Sequence, residues 1–591
     1  MDKRFILFVV LAALILIVTP RIFPSARLVR HVDTAADSTG STATADSTST
    51  SAAGTTAAPG QAQAPTVAAS ESASTVVQSP SDSVTAGMPA LPVHADTITV
   101  ATTRAVYRFS TIGAAPVGIQ LDDYRVLSGD SGSVQLARTG TPLVSYALIR
   151  APGDTIHLDR QPFSIDSSSS ANGGLAKLTF RTTAGGVPVS IAYTFAPDSY
   201  LVRVKGTVEA VPGVASATGE RYLIVRLARG LNSQEADTVD DQRHMAYVVK
   251  PSNGDAKGTP FSKLDTAEAK IVSGPLDWVA SKSKYFVLGL LSDSVTGPFG
   301  GAMLVGLPHT SKVENTGDAF VLKRLDQQGS FAFTIYAGPQ EWRRLLALGN
   351  DFDNVNPYGG FFQKIVQPFA TIVMRILLWA HDVLKINYGW VLVIFGIAVR
   401  VILWPLNQTA MRASLKMQRI QPELQALQKK YKSQPEKQQA EMMKLYKEHG
   451  MSPLSPLMGC LPMLIPMPVL FALYFVFQNT IEFRGVPFLW MADISLRDPY
   501  YILPILMGVS MFFLSWIGLR ASPSNTQAKM MAYVFPIMMV AFFYRLAAGL
   551  NLYYAVQNLA ALPQQWLIAR ERAKAGPPPA RPASGAAAKT G

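Results

Sequence analysis

Cysteine is almost missing from this 591-residue chain: Cys460 stands alone, so no intramolecular disulfide can form. HExxH, P-loop and GxSxG motifs are absent, and no Cys/His cluster has metal-ligand spacing. Zinc hydrolysis, P-loop nucleotide chemistry and the nucleophile elbow therefore have no motif to stand on, and neither a metal nor a cofactor is expected. An SxxK spacing at Ser281–Lys284 falls in a strand-like run and reads as chance. Residues 24–95 have few large apolar side chains and are dominated by Ser, Thr, Ala, Pro and Gly. Such a stretch cannot bury enough surface to offset its chain entropy, so it is predicted to be a disordered linker. Carboxylates are lacking inside the long apolar stretches of the C-terminal half. That removes the obvious proton or sodium relay and counts against an ion-coupled transporter.

What is present is unevenly placed. The net charge is +13, yet residues 21–356 hold 28 Lys+Arg against 30 Asp+Glu, whereas residues 357–591 hold 23 against 9. A basic excess confined to the apolar half points to membrane topology rather than to sequence-specific nucleic acid binding. MDKR followed by the apolar run Phe5–Val18 predicts an uncleaved N-terminal anchor over residues 1–23. Residues 96–350 alternate polar with β-branched and aromatic residues in short runs such as VSIAYTF and YLVRVKGTVEA. They predict a periplasmic β-sandwich. Residues 357–387 read as an amphipathic helix lying at the membrane interface, interrupted at Pro368. Residues 388–569 carry five apolar spans: Tyr388–Leu406, Leu457–Gln478, Tyr500–Leu519, Met530–Leu546 and Gly549–Ala569. The fold class expected is thus a multi-domain membrane protein: an anchor helix, a periplasmic β-sandwich and a five-helix transmembrane core.

Loop charge sets the expected orientation. The 405–455 segment has nine Lys+Arg against four Glu, and the tail, residues 570–591, is also basic. The 479–499 loop has two bases against three acids. By the positive-inside rule both termini face the cytoplasm and the β domain lies outside.

Residues 406–450 carry a heptad-like seam: Leu406, Ala410, Ala413, Met417, Ile420, Leu424, Leu427 and Tyr431 recur at alternating spacings of four and three. Ser433, Gln434 and Pro435 break it, and Glu436–His449 forms a second helix. A charged antiparallel hairpin results, readable as a solvated loop or as a docking arm for a cytoplasmic partner. The last span carries Asn551, Tyr554 and Asn558 on one face, with Tyr553 and Gln557 beside them. Ser510 and Ser515 add hydroxyls to the Tyr500–Leu519 span. Interhelical hydrogen bonding and a cavity lining both fit these residues. Arg400 is the sharpest feature, because it lies inside VLVIFGIAVRVILWPL, about 9 Å of helix before Leu406. A charge at that depth costs about 2.5–3.5 kcal/mol on insertion scales. Snorkelling is the plain explanation. With no carboxylate in the spans to pair with it, a hydrated pocket is the better one.

Taken together, these residues resemble the YidC membrane-protein insertase family in its long Gram-negative form. The ordered set includes YRFSTIGAAPVGIQLDDY, DWVASKSKYF, IYAGPQ, QPF…WAHD…NYGW, FGIAVRVILWPL, KMQRIQPELQALQKKY, CLPMLIPMPVLFALYFVF, DPYYILPILMGVSMFF and GLNLYYAVQNL. The resemblance implies a non-enzymatic insertase and chaperone for integral inner-membrane proteins, acting alone or with the Sec translocon. It implies a substrate groove that is closed outside and open to cytoplasm and lipid, with Arg400 at the family's arginine position. Ser510, Gln557 and Asn558 would share its polarity. It further implies a hydrophobic slide at Leu470, Met507, Phe542, Tyr553 and Tyr554. The hairpin, with Met417, Ile420, Leu424, Leu427 and Tyr431, matches a cytoplasmic arm, so nascent membrane proteins, the ribosome, targeting factors and membrane lipids are the implied partners. Two positions depart from the family pattern. Gly396 stands where a small polar residue is frequent, and Pro466 where a Gln is frequent.

Overall fold

The computed structural model describes residues 96–356 apart from 130, 152, 172–173, 210–220 and 309–313. It also describes residues 363–405, parts of 408–449, and residues 467–520 and 526–574. The expected anchor, the linker, Met417, Pro466 and nearly all of the basic tail lie outside the described residues.

Alternating sequence becomes alternating burial. In Val187–Phe195 and Tyr222–Leu227 every second side chain is buried, as period-two patterning requires. Phe286–Ser292 is buried on both faces almost throughout, because it sits mid-sheet with both faces covered. The strands form a fourteen-stranded antiparallel sheet and a four-stranded sheet whose members are Thr97–Ala101, Ala105–Ser110, Ala115–Arg125 and Ser133–Gln135. Phe109 of the small sheet packs on Tyr193 and Phe195 of the large one, with ring centroids 4.6 and 5.8 Å apart. Tyr193 is fully buried, and its hydroxyl donates to the Ala114 carbonyl at 2.6 Å, so its polar tip is satisfied between the sheets. The β-sandwich expectation holds at this level. Helix α1 (Thr238–His244) and α2 (Trp342–Ala347) flank the sheets.

The helical half begins with α3 (Gln363–Leu384), in which the expected break at Pro368 does not occur. Pro368 is the sixth residue, so it forfeits a single hydrogen bond, to the Lys364 carbonyl, within the first two turns and the helix continues through it. Helix α4 (Tyr388–Ile402) follows after a bend of 118°. Next come α5 (Pro435–Glu448), α6 (Met467–Asn479), α7 (Ile502–Arg520), α8 (Thr526–Phe543) and α9 (Ala548–Lys574). Helices α4 and α6–α9 follow the expected spans in order. Among the described residues no single helix is long and apolar enough to cross a membrane; α3 and α4 pass only as a bent pair.

The hairpin is antiparallel where it is described. Gln428 reaches Met442 and Glu423 faces His449, so residues early in one arm meet residues late in the other. The chain turns at Tyr431–Ser433, just before the expected breaker, and Pro435 takes the first position of α5, where its missing N–H costs nothing. Ile420 and Leu445 are buried, while Leu424, Leu427 and Tyr431 are half-buried.

Between α6 and α7 the sequence suggests only an acidic loop. The structure forms a packed cap, Thr480–Tyr501, with Phe483, Trp490, Met491 and Ile494 buried in the helical core. Asp498, wholly buried, organises it: one carboxylate oxygen accepts from Trp490 Nε1 and the Tyr500 N–H, the other from the Leu503 N–H at the start of α7. Gly389 lies against the Phe488 ring, leaving no room for a Cβ. We expect Asp498→Asn, which loses one acceptor and the charge at the helix start, to lower the unfolding free energy by about 1–2 kcal/mol. Urea unfolding in detergent, followed by tryptophan fluorescence, checks this.

Candidate functional site

Arg400 stands near the end of α4 remote from the cap, eleven residues beyond Gly389 and so about 16 Å along the axis. Helix α9 starts at the cap, where the Ala548 and Gly549 N–H groups donate to the Leu496 and Ile494 carbonyls. It runs parallel to α4. Tyr553, Gln557 and Gln564 share its α4-facing side, since offsets of four and eleven residues return to one face of a 3.6-residue helix. Gln557 Nε2 donates to the Gly396 carbonyl at 3.1 Å and to the Tyr553 hydroxyl at 2.9 Å. Gln564, 2% exposed, accepts from an Arg400 amino group at 2.8 Å and donates to the Trp404 carbonyl at 3.3 Å.

Among the described residues no carboxylate pairs with Arg400; its hydrogen-bond partner is the neutral amide of Gln564. Among the described residues Arg400 Nε is buried and finds no acceptor. An unmet donor on a charged group is unusual in a packed interior.

Gly396 has a physical role at this face. A Cβ there would meet Val556 Cγ1 at 3.2 Å and Tyr553 Cδ2 at 3.5 Å, so α4 and α9 approach closely because the position is small. The polarity that the position lacks is supplied from the other helix by Gln557.

The remaining sequence-derived groove residues gather elsewhere. Ser510 is fully buried and its hydroxyl donates to the Met507 carbonyl of its own helix at 2.7 Å. Asn558 Nδ2 donates to that same carbonyl at 3.4 Å. Ser510, Met507 and Asn558 thus meet on the α7 side of α9, while Arg400 and Gln557 meet on its α4 side. Asn551 is turned to the Phe543 and Leu546 carbonyls and ties α9 to the end of α8. Tyr553 packs on Phe395, Tyr554 on Phe543, and the two tyrosine rings meet edge to face at 5.3 Å. Leu470 is half-buried against the core, and Phe542 is 61% exposed.

The helices also carry apolar side chains outward. On α3, Phe369, Ile372, Ile376, Trp379 and Val383 are exposed at spacings of three and four, opposite the buried Ala370, Val373 and Leu377. Helix α4 continues this with Trp390, Ile394, Ile397 and Val401. Helices apolar on both sides suit a lipid surround rather than water.

Sequence reasoning missed Gln564, whose one signal was its α9 phase relative to Tyr553 and Gln557. It also missed the junction of cap and β domain. Arg484 forks both Glu235 carboxylate oxygens at 2.8 and 3.0 Å, donates to the Arg125 carbonyl at 2.8 Å and stacks on Phe286 at 5.4 Å. The two charged side chains are 5% and 7% exposed. Burial raises the Glu235 carboxyl pKa even though Arg484 opposes the shift. Nearby, Glu482 has a carboxylate oxygen sealed without a partner. Burial pushes its carboxyl up to about 7, with Glu341 reinforcing the shift and Arg343 opposing it.

Because the folded value for Glu482 lies above the ordinary 4.5, its contribution is full below pH 4.5 and lost as pH rises through 7. We expect raising the pH from 5.5 to 8 to destabilise this junction by about 2 kcal/mol. Glu482→Gln is expected to flatten that dependence in thermal unfolding.

A helical core with apolar outer faces, an arginine that no described acid pairs, and a β domain seated on its cap is the build of a membrane-embedded protein with a large extramembrane domain. Family models agree: the 60Kd inner membrane protein model matches residues 379–575 and the YidC periplasmic domain model residues 97–372. The membrane protein insertase YidC of Chlorobaculum tepidum is 33% identical over 403 residues, covering 64% of this chain and 65% of that protein. That of Chloroherpeton thalassium is 31% identical over 408 residues, covering 66% and 67%. A crystal structure of an active YidC insertase with its first transmembrane domain matches 80% of this chain and 92% of its own, at 18% identity and a TM-score of 0.32. The chain belongs to the YidC membrane protein insertase family. Its alignments span about two thirds of these relatives' length, 65% in the first case.

Proposed function

We propose that this protein inserts and folds integral membrane proteins, alone or beside the Sec translocon, without nucleotide or catalytic residue. The observation that carries the reading is Arg400: a guanidinium within an apolar helix, partnered by an amide and by no described acid. Such a group attracts a polar, often acidic tail into a hydrated groove bordered by the packed α4–α9 pair. The tail's apolar segment then leaves along the exposed apolar side chains into lipid, and burial of that segment drives the step. The names of the relatives support the activity; the insertion chemistry of this chain is our inference from the site.

In this reading α4 and α6–α9 are five spans, α3 lies in the interface, and the cap and β domain face the periplasm. The N-terminal anchor crosses the membrane, and both termini belong on the cytoplasmic side with the hairpin, which meets the ribosome or targeting factors. The outward apolar faces of α3 and α4, the loop charges and the cap packed against the β domain support this arrangement. A photoreactive residue at Leu470 or Phe542 is expected to cross-link an arriving apolar segment, whereas one at the exposed Val239 of the β domain should not. Equal yields at all three positions would remove the slide from the proposal.

A further inference from the structure

We infer that Gln564 is a positioning residue that holds the Arg400 guanidinium in register for an anionic client group. The inference rests on the insertase reading for its purpose and on geometry for its substance. Gln564 lies one residue after Pro563, on the α9 face shared with Tyr553 and Gln557, and is 2% exposed. Its amide is used at both ends. The oxygen accepts from Arg400 at 2.8 Å, and the nitrogen donates to the Trp404 carbonyl at 3.3 Å. Trp404 lies two residues past Ile402, the last residue of α4. One side chain therefore bonds both the guanidinium and the backbone just beyond its helix, and so fixes which way the guanidinium faces.

The amide suits this role better than its alternatives. A carboxylate in its place would form an ion pair and neutralise the charge that the client must feel. An apolar residue would leave the long arginine side chain free to swing towards the nearer helix end, about 6 Å away at Trp404. A neutral acceptor holds the guanidinium while leaving its charge uncompensated. Among the described residues none accepts from Arg400 Nε and no acid offsets the charge. Gln557 braces the same helix pair one layer closer to the cap, through the Gly396 carbonyl. Gln564 is thus the contact that reaches the charged head itself.

The test uses the full chain reconstituted in liposomes, with Gln564→Met, which keeps the length but removes both polar atoms, and Gln564→Glu. The first readout is the rate at which phenylglyoxal modifies Arg400, resolved by peptide mass mapping. The second is insertion of two single-span clients, one with an acidic tail and one with a neutral tail. Gln564→Met is expected to speed modification of Arg400 by about three- to tenfold, the equivalent of one lost hydrogen bond. The acid-tailed client should lose more insertion than the neutral one. Gln564→Glu is expected to slow modification and to depress the acid-tailed client further. Unchanged modification in both variants, or equal loss of both clients, would overturn the inference, since a merely structural glutamine does not distinguish tails by charge. If Gln564→Met does not accumulate, Gln564→Glu decides alone by the same two readouts. Should wild type insert neither client, the insertase reading fails, while the labelling rates still test whether Gln564 holds Arg400.

Discussion

Arg400→Leu is expected to lower insertion of an acid-tailed client by at least about tenfold, which corresponds to about 1.4 kcal/mol of lost stabilisation. The estimate is conservative. Two unit charges 4 Å apart attract by about 4 kcal/mol at an effective dielectric constant near 20. Hydration of the groove and the hydrogen bond to Gln564 both reduce what the client feels. Arg400→Lys should retain part of the activity, because it keeps a charge but loses the planar fork. A client with a neutral tail should be affected less by either change. Parallel loss with acidic and neutral tails would mean that the residue supports the fold rather than the client.

The second large effect concerns the junction of cap and β domain. Glu235→Ala is expected to lower its stability by about 3–5 kcal/mol, since Arg484 would remain buried and unpaired. Arg484→Ala should cost a similar amount, because it also abandons the Arg125 carbonyl and the Phe286 ring. The joint change Glu235→Met with Arg484→Leu should recover most of the loss, as apolar replacements of buried pairs often do. Urea unfolding in detergent with limited proteolysis of the cap resolves the three cases. If either single change is as mild as the joint one, the pair is not buried in the membrane-embedded protein.

The strands were legible because alternation is local: nine consecutive residues of Val187–Phe195 disclose a half-buried strand by themselves. The hairpin break was legible for the same reason, at Ser433–Pro435. Arg400 was legible by contrast, one charge among apolar neighbours. Pairings across long separations were not. Glu235 and Arg484 are 249 positions apart, and Arg400 and Gln564 are 164 apart. No periodic pattern connects such residues. Composition disclosed only the charge balance of the cap and not its packing, in which Asp498 accepts from Trp490 and from the start of α7. The polar residues of α9 fitted interhelical hydrogen bonding or a lining alike, and the pattern did not show that Gln557 turns to α4 and Asn558 to α7, as neighbours that diverge by about 100° on a helix.

The most direct measurement is insertion by the purified chain alone. The protein is reconstituted in liposomes without Sec components, a short single-span client with an acidic tail is synthesised in their presence, and tail protection from external protease is read. The account predicts a protected tail that depends on the reconstituted protein. A client that binds these liposomes yet leaves its tail fully digestible would contradict it.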